Sequence, residues 1–185
     1  MAVPQQKIRE IIFQLLFSYD MAEPHKQDME NLLMKELSVT RKTMRQAQEK
    51  VDHILSKILT IDQTIASLSE SYDFSRIQLV EKNILRIGVY ELLLDDTIPE
   101  KVAITEAMRL ARKFSTKEAA SFVNAVLDAL MKRAEGNPDL AADELAQTFD
   151  IMIESEKASN EVLNATHKDE EKEDDAENSG EYPTQ

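Results

Sequence analysis

Residues 75–94 read SRIQLVEKNILRIGVYELLL. Ile77, Val80, Ile84, Leu85, Ile87, Leu92 and Leu94 fall on more than one face of a helix. A helix that is apolar on several faces has to be enclosed by others, so this stretch predicts the centre of a helical bundle. Ser75 followed by Gln78 has the hydroxyl–amide pattern of an N-terminal cap and places the predicted helix start at Ser75. Gly88 costs about 1 kcal/mol of helix propensity relative to alanine. A second helix crossing close at that point is the physical reason expected for it.

Outward from this centre the same period recurs. Ile8, Ile11, Ile12, Leu15, Leu16 and Tyr19 line one face of a first helix, ended by Pro24. A second helix is predicted from Lys26 to Leu37, with Met29, Leu32, Leu33 and Glu36 on successive turns. A third begins near Thr40 and runs through Met44, Ala47, Val51, Ile54, Leu55 and Ile58. Thr60-Ile61-Asp62-Gln63 repeats the capping pattern. After Ile98, Pro99 suits the first position of the next helix, because its missing N–H would be unpaired there in any case. That helix carries Ala103, Ala107, Leu110, Ala111 and Phe114. Ser115-Thr116-Lys117-Glu118 reads as a capping box for a last helix with Phe122, Val123, Val126, Leu127, Leu130 and Met131 on its stripe. No segment alternates with period two for long. The expectation is an all-α bundle of about seven helices.

The chain has 185 residues, with only 3 Gly, 5 Pro, no Trp and no Cys. So few turn residues argue against a sandwich or barrel. Three glycines make no phosphate-cradling loop, which disfavours nucleotide-hydrolysing and dinucleotide-binding enzymes. Without cysteine, disulfides, thiol nucleophiles, zinc ribbons and iron–sulfur clusters are excluded. Met1–Glu10 has no apolar run ahead of its charges, and no segment is apolar for the ~18 residues of a membrane span, so cytoplasm is the expected compartment.

The net charge of −13 is unevenly placed. Residues 1–134 hold 19 acidic and 19 basic residues, whereas 135–185 hold 16 acidic and 3 basic. The acidity therefore belongs to a tail, and the near-neutral body is free to carry a basic patch. Gly136-Asn137-Pro138 marks the boundary, a residue that tolerates positive φ followed by a helix stop. Three parts are expected: a body at 1–135, a marginal amphipathic helix at 136–154 built on Leu140, Leu145, Phe149, Met152 and Ile153, and an acidic disordered tail at 155–185.

Residue chemistry points to binding rather than catalysis. His25, His53 and His167 are far apart, with no metal-ligand spacing, so no metal or cofactor is expected. Asp95-Asp96 sits at a helix end, where a turn role is the simpler reading. Lys7 and Arg9 form one basic group, and Arg109, Arg112, Lys113 and Lys117 a second. Cations at a helix C-terminus complement its dipole, which alone accounts for Arg112 and Lys113. On one surface, the two groups would form a phosphate-binding patch.

Three blocks in this order carry a resemblance. They are Ile98-Pro99-Glu100-Lys101-Val102-Ala103-Ile104-Thr105-Glu106-Ala107, Leu110-Ala111-Arg112-Lys113-Phe114 and Phe122-Val123-Asn124-Ala125-Val126-Leu127-Asp128. Together with Glu81-Lys82, Ile84–Leu92, Arg9-Glu10 and Gln14–Ser18, they resemble the NusB family of transcription antitermination factors over about residues 5–134. The resemblance implies two three-helix subdomains and no catalytic centre. It also implies binding of boxA RNA in ribosomal RNA leaders together with the small-subunit ribosomal protein NusE, and loading of an antitermination complex onto RNA polymerase. By motif position the RNA face would include Lys7, Arg9, Gln14, Phe17, Lys101, Phe122 and Asn124. Lys and Arg would neutralise phosphates, Phe would stack on bases, and Gln and Asn would read base edges. Core packing is the plain alternative for Phe17 and Phe122. The NusE face would involve Glu81, Arg86, Tyr90 and Glu91, whose alternative is an ordinary solvated helix face.

The chain departs from the family pattern at three places. Only Lys7 and Arg9 are basic at a terminus that is arginine-rich in the family. Ala125 replaces a glycine, and Ser121 stands where a basic residue is usual. Weaker RNA affinity, or greater reliance on the protein partner, is expected. The competing reading is a helical protein–protein adaptor with reduced or lost RNA binding. A ribosomal RNA methyltransferase is excluded, because no strand–glycine-loop–helix unit is present to bind the methyl donor. The acidic tail, tethered near a basic patch, would compete with RNA at high effective concentration. Oligomeric state is not fixed by the sequence.

Overall fold

The computed structural model describes residues 4–21, 26–68, 73–136, 145–158 and 161. Within them lie α1 (Gln5–Asp20), α2 (Lys26–Glu36), α3 (Arg41–Ser56), α4 (Ile58–Ala66), a 3-10 turn (Phe74–Arg76), α5 (Leu79–Leu93), α6 (Glu100–Phe114) and α7 (Lys117–Ala134). Residues 145–158 are also helical, and no strand occurs among the described residues. Pro24 and Leu140 lie outside the described residues, as does all of the predicted disordered tail from 162 onward.

The fold is all-α, as the sequence predicts. α1 packs on α2 and α3, while α5, α6 and α7 pack on one another. α5 joins the two groups, touching α1, α3 and α4 on one side and α6 and α7 on the other. Its Ile84, Leu85, Ile87 and Val89 are all buried, which explains why its apolar residues occupy several faces. Each such side chain contributes about 1.5–3 kcal/mol on burial. Gly88 marks the crossing with α7. A Cβ there would lie 2.8 Å from Leu127 Cδ1 and 3.3 Å from the Ala107 Cβ of α6.

Several boundaries differ from expectation. α5 begins at Leu79 rather than Ser75. Ser75 instead sits in the 3-10 turn, where its N–H donates to Asp73 Oδ1 at 2.8 Å. Asp73 is a competing cap five residues before Gln78, and it takes the chain first. Thr60 lies inside α4 and caps nothing, because the third predicted helix breaks at Lys57 and restarts at Ile58. α7 is capped by Thr116, which accepts from Ala119 N–H at 3.0 Å, so the expected box at Ser115 is displaced by one residue. Pro99 is the residue before α6 rather than its first. Tyr19 is 63% exposed, since the α1 stripe leaves the core before the helix ends. Thr40 does cap α3, accepting from Thr43 N–H. Gly136 has φ +88, the left-handed conformation read from its position.

The helix at 145–158 is more than marginal. Leu145, Phe149 and Met152 are at most 1% exposed and join the main core. The helix continues through Ser155 to residue 158, past the point where disorder is expected.

Candidate nucleic-acid and protein interface

The residues assigned to an interface divide into buried and accessible sets. Arg9 lies in the apolar stripe of α1 and is 4% exposed. Its Nε donates to both oxygens of Glu91, at 3.0 and 2.9 Å. A second carboxylate, Glu106, stands 3.7 Å from Arg9 Nη1, and Lys50 stands 4.0 Å from Glu91. Burial pushes the Glu91 carboxyl above the usual range, against the pull of Arg9 and Lys50. Arg9 therefore ties α1 to α5 and α6 instead of offering a charge to a phosphate.

Arg86 is likewise 6% exposed. It donates from Nη1 to Asp20 at 2.6 Å, and from Nε and Nη2 to Asp62 at 2.8 and 2.7 Å, so it joins the end of α1 and the middle of α4 to α5. Its neighbour Asn83 also donates to Asp20, at 2.9 Å. These bonds hold the guanidinium pKa up despite its burial. Glu81 is 1% exposed, and burial raises its carboxyl pKa. Tyr90 is half-buried, with Lys50 Nζ 5.7 Å from its ring centroid. Three of the four residues assigned to the protein face are thus enclosed, and the solvated-face alternative does not hold for them. Phe122 is 0% exposed, its ring 5.4 Å from that of Phe149. Core packing, the alternative reading for Phe122, describes it.

Lys101 is exposed, while Lys7, Gln14, Phe17 and Asn124 are half-buried, with Phe17 also packed against the core, as its alternative reading expects in part. Gln14 and Phe17 share the wall of an open recess between α1 and α2, with Phe13, Met21, Met29 and Leu32. Phe17 continues an aromatic row, 6.1 Å from Phe13, which lies 4.5 Å from Phe114. Lys101 lies in a separate recess at the start of α6, with Asp95, Ile98 and Pro99.

The two basic groups touch at one carboxylate, Glu106 Oε2, which lies 3.7 Å from Arg9 Nη1 and 2.9 Å from Arg109 Nε. Glu10 of α1 accepts from Arg109 at 2.6 Å and Lys113 at 2.7 Å. Burial opposes the ionised form of Glu10, but these two cations hold its pKa below the usual carboxylate range. Arg109 is committed further, to Glu106 Oε2 and the Gln6 carbonyl. Arg112, Lys113 and Lys117 remain exposed at the α6–α7 junction. Glu10 is the connecting residue that sequence reasoning missed. Its signal was a charged pair, Arg9-Glu10, set between Ile8 and Ile11 in an apolar stripe.

No group of three or more His, Asp or Glu side chains placed to hold a metal occurs among the described residues. No described helix is long and apolar enough to cross a membrane. The architecture is that of a helical binding protein with an aromatic recess and a basic edge.

The NusB family model matches residues 6–132, and the chain belongs to the NusB family. The transcription antitermination protein NusB of Chlamydia pneumoniae is 38% identical over 125 residues, covering 68% of this chain and 78% of that protein. A crystal structure of the antitermination factors NusB and NusE in complex with double-stranded RNA contains a chain that is similar in fold. It has a TM-score of 0.60 and 25% identity, over 70% of this chain and 96% of that one. NusB of T. maritima gives a TM-score of 0.59 and 27% identity, over 81% and 99%.

Proposed function

We propose that this chain is a transcription antitermination factor that binds boxA-type RNA of ribosomal RNA leaders jointly with the ribosomal protein NusE. The bound pair helps load an antitermination complex on RNA polymerase in the cytoplasm, and the chain itself catalyses no reaction. The observation that carries this reading is the family match across 6–132, which reaches every body helix. The relatives it resembles include a NusB seen with NusE and RNA.

The accessible residues suit the task. Phe17 offers a ring for an unpaired base and Gln14 an amide beside it, which is how single-stranded RNA is read. Lys7 and Lys101, with the edge of Arg112, Lys113 and Lys117, supply cations for phosphates, and Asn124 offers a further amide. Arg9 acts through Glu91, as a positioning residue for the N-terminal half of α1.

The test is binding of boxA-like single-stranded RNA at physiological salt, with and without NusE, against a scrambled RNA. Selective binding strengthened by NusE is the expected result. NusE binding with no RNA selectivity would overturn the RNA half and leave a protein–protein adaptor. Lys7→Gln should lower the slope of log affinity against log salt by about 0.7, the value for one phosphate contact on a single strand.

A further inference from the structure

Residues 145–158 lie beyond the family match, which ends at 132. They nevertheless cover a defined face of the body. Phe149 lies against Phe122, and the Arg76 guanidinium stands 5.3 Å from the Phe149 ring centroid. Ser155 Oγ donates to Glu118 Oε2 of α7 at 3.2 Å. Glu156 faces Glu81 of α5. The segment therefore sits over one residue from each of the two interface groups that motif position assigns, Phe122 and Glu81.

The apolar part of this contact is well made and the polar part is not. Leu145, Phe149 and Met152 are fully enclosed. At the polar edge, both oxygens of Glu156 and Oε2 of Glu81 are buried without a well-formed hydrogen bond, and only the neutral side chains of Gln78, beside Glu156, and Ser115, beside Glu81, offset their charge. Like charges are brought together where a buried carboxylate calls for a cation or a donor. Glu81 and Glu118 already place negative charge in the first turns of α5 and α7, where the helix dipoles favour it. A third carboxylate from the segment answers no need there. Arg76, a cation on this side, lies over the Phe149 ring.

We propose that residues 145–158 form a displaceable strap that covers the face carrying Phe122 and Glu81, and that a basic segment of the protein partner docks there only after the strap lifts. This rests on the partner reading above and adds its regulation. A lysine or arginine from the partner would give Glu81 the opposite charge that Glu156 denies it. The apparent affinity of the partner then falls with the fraction of open molecules, so a strap open about one-tenth of the time weakens binding about tenfold.

The strap should also respond to pH. Burial, and then the charge of Glu81, push the Glu156 pKa up to about 7, with Gln78 offsetting this only in part. Among the described residues this edge also carries Glu118, Arg76 and Ser115, the last a hydrogen-bond partner that lowers the Glu81 pKa. Above neutrality Glu156 is charged, and the closed strap is disfavoured.

The experiment compares the full chain with Phe149→Ala, which loosens the strap, and Glu156→Gln, which removes the repulsion and tightens it. NusE affinity is measured at pH 6 and pH 8, and hydrogen exchange is followed over 145–158. Expected are several-fold tighter NusE binding and faster exchange for Phe149→Ala, and the reverse for Glu156→Gln at pH 8. The native chain should bind more tightly at pH 8 than at pH 6, a difference that Glu156→Gln abolishes. Equal NusE affinity in all three chains, with exchange altered, would overturn the strap and leave the function standing. A change in RNA affinity alone would also overturn it, since the strap would then guard RNA. No NusE binding by any chain would overturn both readings.

Discussion

Arg9 meets Glu91 in the last turns of α5, whereas Glu156 meets Glu81 in its first turn. Both places bury charge against the same helix. In the first, opposite charges make two hydrogen bonds to one carboxylate, and a second carboxylate and a lysine stand within 4.0 Å. In the second, two carboxylates face each other with three oxygens lacking a well-formed hydrogen bond. A buried charge that has found its opposite is committed to the fold. One that has met its own kind is held chiefly by the apolar contacts around it, with Ser155 bonded to Glu118 alongside. The two ends of α5 thus separate a permanent joint from an exchangeable one.

The largest effect should come from breaking the permanent end. Arg9→Met leaves Glu91 buried without its main partner and should cost about 3–5 kcal/mol in chemical denaturation. The double variant Arg9→Met, Glu91→Met should recover much of that loss, because it removes the orphaned charge.

Between the two ends, Gly88→Ala gains about 1 kcal/mol of helix propensity and meets Leu127 at 2.8 Å. Overpacking costs about 1–3 kcal/mol, so a net loss of about 1 kcal/mol is expected from thermal unfolding. A gain in stability would show that α5 and α7 can slide apart, and would weaken the picture of α5 as a fixed centre.

The exchangeable end should give the smallest effect, and one that depends on pH. A carboxyl whose pKa is raised in the folded state binds more protons there than in the unfolded chain. Its contribution is therefore full below about 4.5 and falls as pH rises towards about 7 for Glu156. Glu156→Gln should stabilise the chain by about 1 kcal/mol at pH 8, after allowance for its partial exposure, and by nothing near pH 4.5. Equal stabilisation at both pH values would mean that the carboxylates do not repel. Glu10 has the opposite sign. Arg109 and Lys113 hold its pKa down, so its contribution is present above about 4.5 and is lost on further acidification.

The bundle was legible because its signals are periodic and local. The α5 stripe, the glycine crossing and the Thr40 cap all rest on spacings within one helix. Helix starts were less legible, since a cap is a contest between neighbouring residues. Asp73 took the chain before Ser75, and Thr116 before Ser115. The interface was least legible. Motif position marks where Arg9, Arg86, Glu91 and Phe122 lie along the chain, but not whether they face solvent. Their partners lie 82 residues away for Arg9 and 66 and 24 away for Arg86, separations that no local period encodes. Lys101 is exposed, and Gln14 and Phe17 stay half-buried at the edge of the α1–α2 recess, Phe17 against the core.

The crossing at Gly88 carries a consequence for descent. The space left by its missing methyl is filled by Leu127, with Ala107 alongside. Positions 88 and 127 are then one inherited character written in two places. A lineage that places a side chain at 88 has to move or shorten the one at 127, and until it does, the intermediate is less well packed in its core. Sequences of this family should show the two sites changing together, with glycine at 88 wherever a leucine is kept at 127.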